Sequence, residues 1–196
     1  MGHKQVIAAS VNLVAFPYGR AYHTYVLDFV AMIEIRRATP DESEALTALA
    51  HAAKRHWNYP QDWINSWKSD LTLTPDFIAN NEVFVAIIDE AIAGCCALVA
   101  GETIAELEHM WIYPEQMGKG VGRALFGHTT RRAAELGLSE LELSADPHAE
   151  PFYERMGAQR VGDIPADMFG QSRVLPRMRV VLGDRNANVR TPIAKL

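Results

Sequence analysis

Gly118-Lys119-Gly120-Val121-Gly122 sets glycines at alternate positions between a strand-like run ending at Ile112 and a helix-like run opening at Val121. Glycine weakens the interiors of strands and helices, so its repetition at such a boundary marks a backbone requirement: positive φ, or close approach of the main chain to another group. A strand, a glycine-rich turn and a helix start together make an anion site. The first amides of a helix have no intrahelical acceptor, and the helix dipole adds partial positive charge at that end. Lys119 and Arg123 stand near the same end and add formal charge. The spacing predicts a loop that cradles a phosphate or pyrophosphate.

The kind of phosphate ligand is narrowed by what the loop lacks. A Walker-type loop follows its Gly-Lys with Ser or Thr, which ligates magnesium. Here Gly118-Lys119 is followed by Gly120, and no second metal-binding acid accompanies it. A dinucleotide fingerprint spaces its glycines G-x-G-x-x-G after a first strand. Here the spacing is G-x-G-x-G, in mid-chain. Kinase, NTPase and dinucleotide readings are all weakened.

The elements that must hold this loop are legible on either side. Ile33, Ile35 and Arg37 alternate with Glu34 and Arg36, a short strand. Thr39-Pro40-Asp41-Glu42 is a helix start, with Leu46, Leu49, Ala50 and Ala53 forming an apolar face to about His56. Pro60 opens a second helix through Lys68, and Thr74-Pro75 a short third. Val83–Ile88 and Ile92–Ala100 read as strands joined at Asp89-Glu90, and Ala105–Ile112 as a strand stopped by Pro114. After the loop, an apolar face runs from Val121 to Leu136 and ends at Gly137. Leu141–Leu143 is a strand, Pro151–Met156 a short helix closed by Gly157, and Gln159–Ile164 and Met178–Leu182 two last strands. This is a mixed α/β layout around one core.

Composition agrees with a globular domain. The 196 residues are 48% hydrophobic and 22% charged, with a formal charge of −5 from 19 basic and 24 acidic side chains. No basic run reaches the density of a nucleic-acid patch, so no nucleic-acid partner is expected. Cys95 and Cys96 are adjacent, point to opposite faces of a strand and read as buried free thiols of a cytoplasmic protein. Residues 1–31 read as an extension whose apolar run, Val6–Ala15, is broken and shorter than the roughly 20 residues of a membrane span. No membrane association is expected. A fresh domain pattern begins at Met32 and runs to 182, and residues 183–196 read as a tail.

Two stretches in order carry a resemblance. Leu107 to Leu125, containing the glycine loop, is similar to the acyl-CoA loop of the GNAT superfamily of N-acetyltransferases. Pro147-His148-Ala149-Glu150-Pro151-Phe152-Tyr153-Glu154-Arg155-Met156-Gly157-Ala158 is similar to that superfamily's second motif, an Ala-x-x-Phe-Tyr helix ending in Gly. The resemblance covers roughly 32–182. It departs at Met117, where the family usually has Gln or Arg, and at His148, where Asn is common.

The resemblance implies a GNAT-like mixed α+β fold. Its central sheet is mostly antiparallel and splayed between the fourth and fifth strands, with helices on both faces. It further implies acetyl-CoA as cosubstrate, no metal, and direct transfer of an acetyl group to a primary amine. The small-molecule acceptor is expected first; a protein or peptide amine, or a non-catalytic acyl-CoA-binding module, are the alternatives. Cofactor contacts are expected from Met110, Trp111, Ile112, Met117, Gly118, Lys119, Gly120, Val121, Gly122, Arg123 and His148. Tyr153 is expected to protonate the leaving thiolate, since a phenol is protonated at neutral pH. For the base, Glu106 and Glu108 share one strand face and His109 takes the other; Glu108, nearest the splay, is favoured, then Glu106, then His109. Trp57, Tyr59, Trp63 and Trp67 lie where the family often shapes its acceptor pocket, although aromatics spaced by four on a helix are usually core. With the negative net charge, their ring faces point to a small cationic amine. Homodimers are common in the superfamily, and a homodimer is a further expectation.

Overall fold

A computed structural model of the protein describes residues 5–7 and 32–183. Within them one sheet of eight strands runs in the order β1-β2-β3-β4-β5-β6-β8-β7. The strands are β1 (Gln5–Ile7), β2 (Ile33–Arg37), β3 (Glu82–Ile88), β4 (Ala91–Ala100), β5 (Ile104–Ile112), β6 (Glu140–Ser144), β7 (Gln159–Met168) and β8 (Gln171–Val181). The helices are α1 (Ser43–Arg55), α2 (Gln61–Ser66), α3 (Pro75–Asn80), α4 (Val121–Glu135) and α5 (Glu150–Arg155). Most of residues 1–31, and the tail from 184 onward, lie outside the described residues.

The period-2 alternation of the strands sorts the core into two layers. Phe84, Ala86, Cys96, Leu98, Ala105 and Leu107 pack with Val121, Leu125 and Phe126 of α4 and Tyr153 of α5. On the other face Val83, Val85, Cys95 and Ala97 pack with Leu46, Leu49 and Ala50 of α1 and Ile78 of α3. Helices therefore cover both faces. Cys95 and Cys96 fall in opposite layers, both buried and both free. The Asp89-Glu90 turn takes positive φ at both residues, 48° and 64°, which matches the twist of a tight hairpin.

Every pairing in the sheet is antiparallel except β5 with β6, which α4 joins as a crossover. That parallel pairing covers only Ile104–Glu106 against Glu140–Glu142. Beyond it the strands part, and β5 continues to Ile112 with no neighbour on that side. Counted from Ile33, these are the fourth and fifth strands, so the splay lies where the resemblance put it.

Three details differ from the sequence reading. The second helix ends at Ser66, two residues short of Lys68. The last two strands are longer than expected and form one hairpin, turning at Phe169-Gly170 with φ of 55° and 80°. Pro165 and Pro176 hid its outer halves, because proline removes a ladder donor and argues against a strand. Finally, β4 and β5 slip register: Leu98 faces Leu107 while Ala97 faces His109, so Glu108 is an extra, bulged residue.

Candidate active site

The splay opens beside the N-terminus of α4. Gly118 and Gly120 take φ of 77° and 88°, the left-handed region that side chains with a Cβ rarely adopt. Gly120 is the residue before the first turn of α4, and no side chain caps it. The amides of Val121, Gly122 and Arg123 therefore face outward without an intrahelical acceptor. Gly122 has a different reason to be glycine. A Cβ there would stand 3.3 Å from the Phe152 ring, tighter than ordinary contact, so Phe152 or α4 would have to give by a few tenths of an ångström; the Met110 methyl, at 3.5 Å, would be in ordinary contact.

A cleft of about 530 Å³ runs from this loop into the splay. Of the residues expected to bind the cofactor, Met110, Trp111, Ile112, Met117, Gly118, Gly120, Gly122, Arg123 and His148 line it. Lys119 is not part of the lining, and Val121 is turned into the core, 1% exposed. One edge of Met110–Ile112 is paired to Gly94–Cys96; the other faces the gap, with backbone groups available to an extended ligand. Arg155, on the last turn of α5, adds a second guanidinium to the lining. The free amides, the left-handed glycines and these arginines fit a pyrophosphate-bearing ligand.

Tyr153 and Glu108 line the same cleft. Tyr153 is 8% exposed, with its ring 5.1 Å from that of Phe152 and 5.7 Å from that of Phe126. Burial pushes its phenol well above the ordinary range, so it stays protonated throughout the neutral region. Burial, and then the neighbouring Glu106, raise the Glu108 carboxyl.

The bulge corrects the expected faces. In plain alternation His109 would share the face of Leu107. The extra residue shifts the phase, and His109 instead lies against Phe77 in the layer under α1 and α3, ring centroids 5.3 Å apart. Its Nδ1 accepts a hydrogen bond from the Trp111 indole at 3.2 Å, and burial pulls its pKa down to about 4. Glu106 lines a second cavity of about 470 Å³ with Glu142 and Arg177. Of the three candidate bases, Glu108 is the one in the lining of the main cleft.

The aromatic cluster also differs from expectation. Trp57 lines the cleft, its ring stacked on that of His148 at 4.9 Å; Tyr59, Trp63 and Trp67 are not in the lining. The ring faces of Tyr59 and Trp67 are already occupied by this chain's own cations. Lys54 Nζ lies 4.9 Å and 4.4 Å from their centroids, and the Arg173 guanidinium 4.8 Å and 4.9 Å. Both cations pair with Asp146, at 2.5 Å and 3.0 Å, and the Tyr59 hydroxyl donates to it at 2.8 Å. Burial opposes ionisation of Asp146, but Lys54 and the hydrogen bonds outweigh it and hold the carboxyl below its usual range. The sequence reading missed this group. One signal was present: Lys54 follows Ala50 by one turn, on the buried stripe of α1, where a lysine implies a buried partner.

Residues 79–157 match the family model described as an acetyltransferase (GNAT) domain. No curated protein sequence matches the chain at a significant level. Among solved structures, the GCN5-related N-acetyltransferase of Rhodopseudomonas palustris superposes with a TM-score of 0.64 at 17% identity, covering 76% of this chain and 94% of that one. The PaiA N-acetyltransferase of Thermoplasma acidophilum, in complex with coenzyme A, gives 0.60 at 20% identity over 76% and 98%. YncA of Salmonella typhimurium, with its cofactor acetyl-CoA, gives 0.57 at 18% identity over 77% and 94%. The resemblance carried by the glycine loop and the Phe152-Tyr153 helix thus stands in sequence and in fold.

Proposed function

We propose that the chain is an N-acetyltransferase that moves an acetyl group from acetyl-CoA to the primary amine of a small molecule by direct attack. The observation that carries this reading is the parting of β5 from β6 after Glu106 and Glu142, beside the free amides of α4, with Tyr153 and Glu108 in one lining. Bound acetyl-CoA supplies the activated acyl carbon and a thiolate leaving group. The α4 amides, with Arg123 and Arg155, hold the pyrophosphate arm. The free edge of Met110–Ile112 orients the pantetheine amides as an added strand.

Glu108 takes one proton from the acceptor ammonium, directly or through water, and passes it to solvent. The freed lone pair forms the C–N bond as the C–S bond breaks. Tyr153 gives its proton to the departing sulfur and recovers one from the new amide nitrogen. The balance is an amide, a free thiol and one released proton. The occupied faces of Tyr59 and Trp67 revise the acceptor: its body meets Trp57 and the mouth of the splay, and a second positive charge on it would be repelled by Lys54 and Arg173.

The test is thiol release from acetyl-CoA on adding butylamine, spermidine, tyramine, a free α-amino acid or a tetrapeptide. A monoamine should give the fastest release. No release with any amine, together with intact acetyl-CoA binding, favours the non-catalytic module.

A further inference from the structure

Lys54 is on α1, Tyr59 in the α1–α2 connection, Arg173 on β8, and Asp146 in the turn between β6 and α5. The Asp146 carboxylate is the point at which these segments meet: it accepts from Lys54, Tyr59 and Arg173 side chains, and from the backbone N–H of His148 at 3.1 Å. Lys54 and Arg173 are nearly buried, with side chains 9% and 10% exposed, and both press on the same two rings. Two buried cations side by side repel each other and lose hydration, and a single carboxylate between them is what makes the arrangement tenable. His148, expected among the cofactor contacts, is held by Asp146 through its backbone and stacks on Trp57; the stack reassigns its ring to the acceptor wall, and Asp146 lines the cleft with both rings.

We propose that Asp146 is a specificity-determining, positioning residue: it fixes the acceptor wall of the cleft, and so governs acceptor binding and not acetyl-CoA binding. The proposal rests on the transferase reading above. Charge counting makes it asymmetric. Asp146→Asn leaves two cations without a counter-charge, which drives Lys54 and Arg173 apart and carries Tyr59 and Trp67 with them; the Tyr59 ring, 5.6 Å from that of His148, passes the shift to the Trp57–His148 stack. Lys54→Met leaves one cation and one carboxylate, a balanced pair, and keeps the alkyl packing on the rings. The double variant removes one charge of each sign and relieves the repulsion.

The experiment measures KM for the best amine of the panel above and acetyl-CoA affinity by calorimetry, with melting followed alongside. Asp146→Asn should raise the acceptor KM at least about tenfold while acetyl-CoA affinity stays within about twofold, Lys54→Met should change the acceptor KM less than about threefold, and the double variant should recover most of the loss. Should Asp146→Asn fail to fold, Tyr59→Phe deletes the hydrogen bond to the carboxylate and the one the hydroxyl accepts from Arg173, and keeps the ring; it should still raise only the acceptor KM. An acceptor KM unchanged in folded Asp146→Asn, a double variant as impaired as the single, or an unchanged KM in Tyr59→Phe overturns the proposal. Absence of acetyl-CoA binding or of thiol release by the unmodified chain instead overturns the transferase reading. The wall is then read from near-ultraviolet circular dichroism of the aromatic cluster, which Asp146→Asn should flatten and Lys54→Met should not; an unchanged spectrum in Asp146→Asn counts against it.

Discussion

Trp57 and His148 stack with their planes 4° apart, tying the α1–α2 connection to the turn after β6 at the rim of the cleft. The stack places an indole from one side of the sheet over a ring from the other. Trp57→Leu removes it without touching the α4 amides. An aromatic pair contributes about 0.5–1.5 kcal/mol, so the acceptor KM should rise roughly two- to tenfold, with acetyl-CoA affinity unchanged. A parallel loss of acetyl-CoA affinity would place Trp57 on the cofactor side instead.

Gly120→Glu tests the anion cradle. The left-handed backbone at Gly120 costs a residue with a Cβ about 1–2 kcal/mol, and the carboxylate would stand where pyrophosphate is held. Calorimetry on the folded variant should show no measurable acetyl-CoA binding. Retained affinity would mean that the phosphates lie elsewhere.

His109 predicts an acid-side loss of stability. Its folded pKa, about 4, lies below the ordinary 6.5, so the unfolded chain binds this proton more readily. The neutral ring's contribution is complete above the ordinary value and is lost as pH falls from about 6.5 toward 4, to the extent of about 3 kcal/mol. Urea unfolding at pH 7.5 and 4.5 should show a smaller difference for His109→Gln than for the unmodified chain. Equal differences would assign the acid sensitivity to other groups.

Much of this site was visible in the residue pattern, and the reasons for the gaps are specific. The glycine loop and the strand before it announce themselves through short spacings. So does the Phe152-Tyr153 helix. The Asp146 group does not, because its partners lie 92, 87 and 27 residues away along the chain. Chain separation of that size leaves no periodicity to read. The phase change at Glu108 was hidden for another reason: a bulge costs one residue of register, and Ala105 to Ile112 fits an unbroken strand equally well. Tyr59, Trp63 and Trp67 illustrate the ambiguity of aromatic spacing, since ring faces that could hold a ligand's ammonium here hold Lys54 and Arg173.

A chain beginning at Met32 tests the extension. Gln5–Ile7 pairs with Ile33–Ile35 at the sheet edge, far along the sheet order from β5 and β6. Acetyl-CoA affinity should be unchanged by the truncation. A folded but non-binding truncated chain would show that residues 1–31 complete the site.

The most direct measurement of the central claim is amine-dependent thiol release by the unmodified chain and by Tyr153→Phe, with acetyl-CoA affinity determined in parallel. The account predicts turnover by the unmodified chain. In the variant it predicts a fall on the order of 100- to 10,000-fold, with acetyl-CoA affinity retained, because the ring stays and only the proton donor is lost. Turnover within about threefold of the unmodified chain would contradict the role of Tyr153 and the chemistry built on it.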